Sequence, residues 1–313
     1  MQRLASRLVG NKGVPDFNAE FRERHAVKFE AALTAQEAKG LFDTRRLQDV
    51  IAGPGAPAAN TDIYRIQNLM RLSDIIRGSG RSALEVTGEL LRIGCTLRFR
   101  DIDQFDRKLA DFARDVAETY AAETQVNVYF TPPTQDGLPP HFDNTDSFII
   151  QVAGAKEWLI YKEYTDQQAL PGPDVDWDAN RFRPVGTATP LRLRAGDVLY
   201  IPRGVMHSAR CTNEESMHLT VTLSPLTMLN VLEKELRRLA SQDVELRRRA
   251  AWSLSGGPEE MNVLRDELRR LAAGLADRID PAAAIAEKRG LLQARSSADA
   301  NVFDAAVAAL KPR

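Results

Sequence analysis

The chain has 313 residues, 43% of them hydrophobic and 27% charged, and its 42 Lys and Arg residues against 43 Asp and Glu residues leave a net charge of −1. This composition is typical of a globular protein with a sizeable core. It lacks the basic excess of a nucleic-acid-binding chain and any apolar run that predicts a signal peptide or a membrane span. Neither nucleic acid nor membrane is therefore an expected partner. The two cysteines, Cys95 and Cys211, have no disulfide or metal-clip spacing, so we expect a cytoplasmic protein.

Residues 1–95 are predicted to form a mainly helical region that packs on a following core. Apolar and charged residues alternate at helical spacing in four segments, residues 30–41, 44–51, 68–76 and 82–93. Residues 53–60, GPGAPAAN, interrupt this pattern and predict a loop because of their Gly and Pro content.

A strand and a long helix are predicted next. Residues 95–101, CTLRFRD, alternate as a strand does, directly after the helix-ending Gly94. In residues 103–120, Phe105, Leu109 and Phe112 lie on one stripe with Asp and Arg opposite, which predicts an amphipathic helix packed on a core.

From residue 126 to about residue 223 the hydrophobic period changes from helical to strand-like. Six short β-rich runs, VNVYF, SFIIQVA, EWLIY, LRLR, DVLYI and LTVTL, are separated by Pro, Gly and Asn. Several short antiparallel strands predict a sandwich or jelly roll, which we assign to residues 96–225. The polar connection at residues 162–190 is long for a β domain, which favours a lid or a substrate loop.

After Pro225 the helical period returns. Leucines recur every three or four residues on two segments, and SGGP at residues 255–258 separates them. This predicts a helical hairpin at residues 226–280, which either covers the sheet or forms a homodimer interface. Residues 281–313 are a tail rich in alanine.

Three of the four histidines, His141, His207 and His218, fall in the strand-rich region. On a strand, residues two apart point to the same face, so His141 and Asp143 can reach one metal ion. His207, in AGDVLYIPRGVMHSA, would complete a set of two histidines and one carboxylate. Such a set leaves three positions of an octahedral ion open, as a non-haem Fe(II) oxygenase needs for O2 and a co-substrate. The spacing alone is common, and a surface or core role is the alternative for each residue.

Lys156 follows a predicted Gly turn, one strand after His141 and Asp143. Near an iron site, a lysine would bind the distal carboxylate of a 2-oxo acid whose other end chelates the metal. The alternative for Lys156 is a solvated lysine in a turn.

The longest motif-bearing stretch is NVYFTPPTQDGLPPHFDNTDSFIIQVAGAKEWLIY, and AGDVLYIPRGVMHSA and SMHLTVTL follow it. Together these segments resemble the ribosomal-oxygenase branch of the JmjC/cupin superfamily over roughly residues 80–225. The resemblance implies an α+β fold whose core is a double-stranded β-helix, the cupin jelly roll. It also implies an enzyme that uses Fe(II), 2-oxoglutarate and O2 to hydroxylate a C–H bond of an amino-acid side chain in a protein or peptide.

The same resemblance assigns roles to individual residues. His141, Asp143 and His207 would be the iron ligands, and Lys156 would hold the distal carboxylate of 2-oxoglutarate. Asp146 and the connection at residues 165–190 would lie near the mouth where a substrate enters. Further residues would line the co-substrate pocket, namely Asn127, Tyr129, Thr131, His218 and Thr220.

Alternatives remain for substrate and for class. Family members that act on ribosomal proteins carry a winged-helix module after the helical one, and residues 281–313 are too few and too helical for it. A biosynthetic peptide, or a free or carrier-bound amino acid, therefore remains open as substrate. Hydroxylation is favoured over N-demethylation by the resemblance alone. The alternative classes are a non-catalytic cupin-like binding module and a metal enzyme that uses no 2-oxo acid.

Overall fold

The computed structural model describes residues 3–53, 58–65, 68–135, 137–172, 174–250, 257–282 and 285–290. The chain divides into two compact units, Met1–Pro225 and Leu226–Arg313. The first unit combines helices with strands, and the described part of the second is helical. Among the described residues, no helix combines the length and the apolar character that crossing a membrane requires.

The strands of the first unit pair antiparallel and form two layers. They are β1 (Val27–Phe29), β2 (Thr61–Arg65), β3 (Asn68–Arg71), β4 (Thr96–Phe99), β5 (Ala122–Thr131), β6 (Asp146–Tyr164), β7 (Pro184–Arg194), β8 (Val198–Ile201), β9 (His207–Arg210) and β10 (Ser216–Pro225). The larger layer has the strand order β1-β8-β6-β10-β5-β4-β2-β3. Strands β7 and β9 pair with β6 in the smaller layer. The two antiparallel layers confirm the expected jelly roll.

Strand β6 connects the two layers. Its first part pairs with β10 and β8, and its second part pairs with β7 and β9. The prediction of two strands around a Gly turn was wrong, because β6 is one strand of 19 residues that bends at Gly154, where φ is +61°. A Cβ at position 154 would lie 1.8 Å from the carbonyl oxygen of Glu215, so only glycine fits this bend.

Helices pack against one face of the larger layer. They are α1 (Leu4–Arg7), α2 (Val14–Glu20), α3 (Ala35–Leu41), α4 (Thr44–Ala52), α5 (Leu72–Ile76), α6 (Ala83–Arg92) and α7 (Arg107–Tyr120). Leu109, Phe112 and Val116 of α7 are buried in one core with Val126 and Val128 of β5. Burial of each such residue stabilises the fold by about 1.5–3 kcal/mol relative to an exposed position. The helices predicted at residues 44–51 and 82–93 are confirmed, with small shifts at their ends. The helix predicted at residues 103–120 begins only at Arg107, so Phe105, predicted on its buried stripe, precedes the helix and is exposed.

The N-terminal region contains more strand than the sequence predicts. Residues 68–76, predicted as one helix, form β3 and then α5. The prediction failed because β3 is exposed along its whole length, so its pairing with β2, and not an apolar pattern, defines it. The helix predicted from residue 30 begins only at Ala35, because Thr34 and Glu37 form a capping box there.

Strand alternation separates the core from a polar face. Val126, Val128 and Phe130 of β5 belong to the hydrophobic core. The residues between them face the opposite side of the layer by the period of two. On that face, Tyr129 is paired with His218 of β10. The inner face of the larger layer is therefore polar along β5 and β10.

The connection between β6 and β7 is shorter than predicted, because β6 ends at Tyr164 and β7 begins at Pro184. Phe182 of this connection forms a buried aromatic cluster with Phe142, which precedes β6, and with Tyr164, which ends β6. Trp177, also from the connection, packs against this cluster. The Tyr164 hydroxyl donates a hydrogen bond to the carbonyl oxygen of Gly204 over 2.8 Å. The described part of this connection is thus anchored to the core.

The second unit contains α8 (Met228–Gln242) and α9 (Pro258–Ala276). Arg278 pairs with Asp243 over 2.6 Å and links the residues after α9 to the end of α8. Of the predicted break SGGP, residues 255 and 256 lie outside the described residues, as do residues 283–284 and 291–313 of the predicted tail and residues 54–57 of the predicted loop.

Candidate metal and co-substrate site

The segment that carries His141 runs beside β9 and pairs with it. The amide N–H of His141 donates to the carbonyl oxygen of His207 over 3.0 Å, and the amide of His207 donates back over 2.7 Å. The two rings lie 4.5 Å apart between centroids. The backbone therefore brings together two histidines that are 66 positions apart in the sequence (207 − 141).

Asp143 completes a cluster with these two histidines. Ligand atoms of the three residues all lie within 4.8 Å of one another. His141 Nε2 is 3.9 Å from Asp143 Oδ1, and His207 Nε2 is 3.8 Å from Asp143 Oδ2. These distances are too long for hydrogen bonds, but one ion between the atoms could contact all three.

Both histidines present the correct nitrogen for a metal. His141 Nδ1 lies 2.8 Å from the carbonyl oxygen of Pro139, and His207 Nδ1 lies 2.9 Å from that of Val205. Each Nδ1 therefore carries the proton, and each Nε2 offers its lone pair towards Asp143. Burial and, to a smaller extent, the neighbouring His141 together lower the pKa of His207 to about 4, whereas Asp143 opposes the shift. His207 is thus neutral at physiological pH, as a metal ligand must be.

The site is open on one side. The side chain of Asp143 is 44% exposed, whereas that of His207 is 5% exposed. Two imidazoles and one carboxylate on one side of an ion leave the other positions free, and this donor set suits non-haem Fe(II). The residues present therefore fit the metal that the sequence predicts.

Lys156 lies on β6 in the same cavity. Its side chain is buried, and Nζ donates to Thr131 Oγ1 over 2.9 Å. Thr96 Oγ1 donates to the same Thr131 oxygen over 3.2 Å. No carboxylate among the described residues pairs with Lys156, and burial lowers its pKa to about 8, with Cys211 opposing the shift. A buried ammonium without a counterion favours an anionic ligand.

The wall between these groups is aromatic. Tyr129 and His218 stack in parallel, with centroids 4.8 Å apart and planes 6° apart, and Trp158 meets His218 edge-on at 5.3 Å. Within the described residues, neither ring nitrogen of His218 nor Trp158 Nε1 has a hydrogen-bond partner. Burial and the nearby Lys156 hold the pKa of His218 well below its usual value. Such buried polar atoms indicate that a polar ligand belongs in the cavity.

The structure brings together most, but not all, of the predicted site residues. Tyr129, His218 and Thr220 line the cavity with the three ligand residues and Lys156. Thr131 reaches the site through its hydrogen bond to Lys156. Asn127 instead accepts a hydrogen bond from the amide of Asp101 over 3.0 Å.

Asp146 does not lie at the mouth of the cavity, where the sequence places it. Its side chain is fully buried, and Oδ1 accepts a hydrogen bond from the amide of Arg203 over 3.0 Å. Burial raises the pKa of Asp146, while Arg203 and Tyr200 lower it through hydrogen bonds. The correction follows from pairing, because Asp146 begins β6 inside the larger layer, opposite Leu223.

Sequence reasoning gave no role to two aromatic residues near the metal cluster. Trp158 lies two positions after Lys156 on the same strand, so strand alternation alone could have placed both in the cavity. Trp177, from the connection after β6, meets the ring of His141 edge-on at 6.5 Å. No local pattern in the sequence signals this second contact.

A second cavity of about 400 Å³ adjoins the first. The two share Leu138, Ser208 and Ala209 in their linings. Tyr64 and Tyr161 also line the second cavity, and its volume falls in the range of ligand-binding pockets.

Parts of the sequence and the fold are similar to those of known proteins. The sequence model of the family described as "JmjC domain" matches residues 96–231. Ribosomal oxygenase 1 of Danio rerio is 27% identical over 220 residues, which cover 67% of this chain and 39% of that protein. Ribosomal oxygenase 1 of Gallus gallus is 32% identical over 147 residues, which cover 46% of this chain and 24% of that protein. The chain thus spans well under half the length of these relatives.

The chain is also similar to a third curated protein and to a solved structure. "Bifunctional lysine-specific demethylase and histidyl-hydroxylase NO66" of Drosophila yakuba is 31% identical over 198 residues, 60% of this chain and 28% of that protein. The structure of YcfD, a ribosomal oxygenase from Escherichia coli, in complex with cobalt and succinic acid is similar with a TM-score of 0.52. That similarity covers 82% of this chain and 66% of YcfD at 16% identity, and it shows a shared fold.

Proposed function

We propose that this protein, whose residues 96–231 are a JmjC domain, is an Fe(II)- and 2-oxoglutarate-dependent oxygenase that hydroxylates a C–H bond of an amino-acid residue in a protein or peptide. One observation carries the proposal. A cluster of two histidines and one carboxylate shares a cavity with a buried lysine that has no carboxylate partner among the described residues. A metal-chelating dianion such as 2-oxoglutarate would satisfy both ends of this cavity.

Each residue has a distinct task in this proposal. His141, Asp143 and His207 would hold the metal, which with 2-oxoglutarate and O2 supplies the oxidising power. Lys156 would bind the distal carboxylate by a charge-assisted hydrogen bond, and Thr131 would orient its ammonium. The aromatic wall would exclude water and orient the co-substrate.

The substrate is proposed to approach through the second cavity. That cavity shares part of its lining with the metal cavity and is large enough for an amino-acid side chain. Its residue Leu159 does not line the metal cavity, so Leu159→Trp should obstruct substrate without touching the metal. We expect this variant to keep 2-oxoglutarate binding and to lose substrate hydroxylation. Hydroxylation would be detected as the mass gain of one oxygen atom in candidate peptides, and full hydroxylation by the variant would refute this route.

Hydroxylation is proposed over N-demethylation because two relatives are named ribosomal oxygenases. The name of the Drosophila yakuba relative includes both activities. Both reactions begin at a C–H bond, so the site residues do not separate them. Incubation with matched methylated and unmethylated peptides would do so, because only demethylation releases formaldehyde.

We also propose that the second unit mediates homodimerisation. Leu229, Leu232 and Leu236 of α8 are each more than 40% exposed, and so are Met261 and Leu268 of α9. Apolar stripes of this kind suit packing between helices of two subunits. Light scattering after size exclusion should show a dimer for the native protein and a monomer for Leu232→Glu. A native monomer at micromolar concentration would refute this.

The proposed compartment is the cytoplasm, because Cys95 and Cys211 are both buried and free. Fractionation of cells that carry the tagged native gene tests this assignment, and recovery of the protein outside the cytoplasm would contradict it.

The oxygenase proposal is tested by succinate formation. The purified protein with Fe(II), ascorbate, 2-oxoglutarate and O2 should release succinate, slowly without substrate and faster with it. Lys156→Ala should release little at the same co-substrate concentration. Absence of succinate from the metal-loaded native protein, with and without a cell-extract substrate, would contradict the proposal.

A further inference from the structure

A cluster of charged side chains outside the metal cavity lies next to one of its walls in the strand register. Asp62 of β2 is 2% exposed, and two guanidinium N–H groups of Arg98 donate to its Oδ2 over 2.9 and 2.5 Å. Arg100 Nε lies 3.0 Å from the same oxygen. One carboxylate therefore holds two cations, and the cluster has one net positive charge.

Strand register directs this cluster towards the cavity. Asp62 lies opposite Arg98 in the β2–β4 pair, and Arg98 lies opposite Tyr129 in the β4–β5 pair. Side chains of directly opposite residues stand on the same face, with Cβ atoms about 4.5–5.5 Å apart. The three side chains thus form a row across three strands. The row ends at Tyr129, which lines the metal cavity.

Arg98 occupies a defined place in this row. Its guanidinium lies over the ring of Tyr64, 5.3 Å from the centroid. Burial raises the pKa of Tyr129, and the charge and side-chain hydrogen bond of Arg98 oppose this rise. On its other side, the ring of Tyr129 stacks on His218. Arg98 therefore stands beside Tyr129 across the β4–β5 pair, and His218 covers the ring of Tyr129.

We propose that Asp62 is a positioning residue for the co-substrate pocket: it holds Arg98 against Tyr129 and so fixes the tyrosine that forms the pocket wall. The part of this inference that concerns 2-oxoglutarate rests on the function proposed above. The physical reason is charge balance. Without the carboxylate, the guanidinium groups of Arg98 and Arg100 repel each other, and the Arg98 side chain, which is 24% exposed, can turn towards water.

The first test compares two buried carboxylates. Asp62→Asn removes the charge next to Arg98 with little change in shape. The matched control is Asp197→Asn, because Asp197 is 5% exposed, lies 2.9 Å from Lys28 Nζ and is absent from the described cavity lining. We measure the 2-oxoglutarate Kd of the Mn(II)-loaded protein by calorimetry. We expect Asp62→Asn to raise the Kd about tenfold, equivalent to ~1.4 kcal/mol, and the control to change it less than about twofold.

A double-mutant cycle separates positioning from general stabilisation. If Asp62 acts through the Tyr129 hydroxyl, then Asp62→Asn adds little to the effect of Tyr129→Phe. We expect the double variant to bind 2-oxoglutarate within about twofold of Tyr129→Phe alone, because the two changes break one connected contact. If the double variant raises the 2-oxoglutarate Kd by the product of the two single factors, Asp62 acts by another route, and the inference is overturned.

A second measurement needs no co-substrate. The protein is labelled with 3-fluorotyrosine, and Tyr129→Phe identifies the fluorine resonance of Tyr129 among the six tyrosines. We expect Asp62→Asn to shift or broaden this resonance and Asp197→Asn to leave it unchanged. An unchanged resonance in Asp62→Asn overturns the inference, whatever the binding data show. A shifted resonance in a protein that binds no 2-oxoglutarate would uphold the positioning role and refute only the proposed function.

Discussion

The metal end and the lysine end of the cavity are held in place by different means. At the metal end, backbone carbonyls orient both histidines, and main-chain pairing with β9 places His141. Solvent reaches this end through Asp143. At the lysine end, a buried ammonium depends on the side chain of Thr131 and lies away from water. The metal end should therefore tolerate changes in neighbouring side chains, whereas the lysine end should respond to charge, burial and pH.

The largest expected effect comes from removal of a metal ligand. His207→Ala should weaken Mn(II) or Fe(II) binding by more than about 100-fold, because loss of outer-shell partners alone costs 10–100-fold. Calorimetric metal titration measures this. The matched control is His25→Ala, an exposed histidine that should leave metal affinity unchanged. Native-like metal affinity in His207→Ala would exclude His207 as a ligand.

Removal of the lysine should have a large but different effect. Lys156→Ala should raise the 2-oxoglutarate Kd by about 10–100-fold, since a charge-assisted hydrogen bond contributes ~1.5–3 kcal/mol. Metal affinity without co-substrate should stay within about twofold. Lys162→Ala, on the same strand but exposed, is the control and should leave both affinities unchanged. Equal 2-oxoglutarate affinity in the Lys156 variant would remove Lys156 from the site.

The pH dependence should reveal the lysine end. The pKa of Lys156 is lowered to about 8 in the folded protein. As pH rises through 8 the ammonium loses its proton, so 2-oxoglutarate affinity should fall by up to about tenfold per pH unit above that value. Lys156→Arg keeps its charge and should remove this dependence. Calorimetry between pH 7 and 9.5 checks both proteins, and a flat native profile would contradict the assignment.

The lowered pKa of Lys156 affects the stability of the ligand-free protein in the opposite direction to 2-oxoglutarate affinity: stability rises with pH. An unfolded lysine titrates near the ordinary value of 10.5. Between pH 8 and 10.5 the unfolded protein binds more protons at this site than the folded protein does. The free energy of unfolding therefore increases, and the fold becomes more stable, as pH rises through this range. Below pH 8 the burial of the charge costs stability in full. Urea unfolding of the native protein and Lys156→Met should therefore converge as pH rises through this window, and a constant difference would contradict it.

The smallest expected effect tests the tolerance of the metal end. Trp177→Ala removes an aromatic neighbour of His141, but the carbonyl of Pro139 still orients the imidazole. Metal affinity should fall by no more than about threefold, because a ring contact at 6.5 Å lies near the outer limit for aromatic pairs, where the contribution is ~0.5 kcal/mol. Stability should fall more, because Trp177 also packs against Phe142 and Phe182. A tenfold loss of metal affinity would show that side-chain packing, too, places the histidine.

The sequence predicts the site better than it predicts the strands around it. The His-x-Asp spacing and the later histidine and lysine lie in conspicuous motifs, and the structure gathers these residues in one cavity. Their chemistry depends on residue type, which the sequence states directly. Strand alternation also links Trp158 to Lys156 without any knowledge of tertiary structure.

Features that depend on register could not be predicted in this way. Asp146 is a carboxylate near the ligands in sequence, but its pairing within the larger layer buries it away from the mouth. The row from Asp62 to Tyr129 spans three strands whose alignment no local pattern defines. Gly154 shows the same limit, because whether a glycine ends a strand or bends it depends on what lies opposite, here the carbonyl of Glu215.

The central claim is that the three ligand residues and Lys156 form one site for a metal and a 2-oxo acid together. The most direct test is calorimetric titration of 2-oxoglutarate into the protein with and without Mn(II), followed by the reverse titration. We predict that Mn(II) tightens 2-oxoglutarate binding at least about tenfold and that 2-oxoglutarate tightens Mn(II) binding by the same factor, as linkage requires. Equal 2-oxoglutarate affinity with and without metal would show that the two ends of the cavity do not share a ligand, and it would contradict the claim.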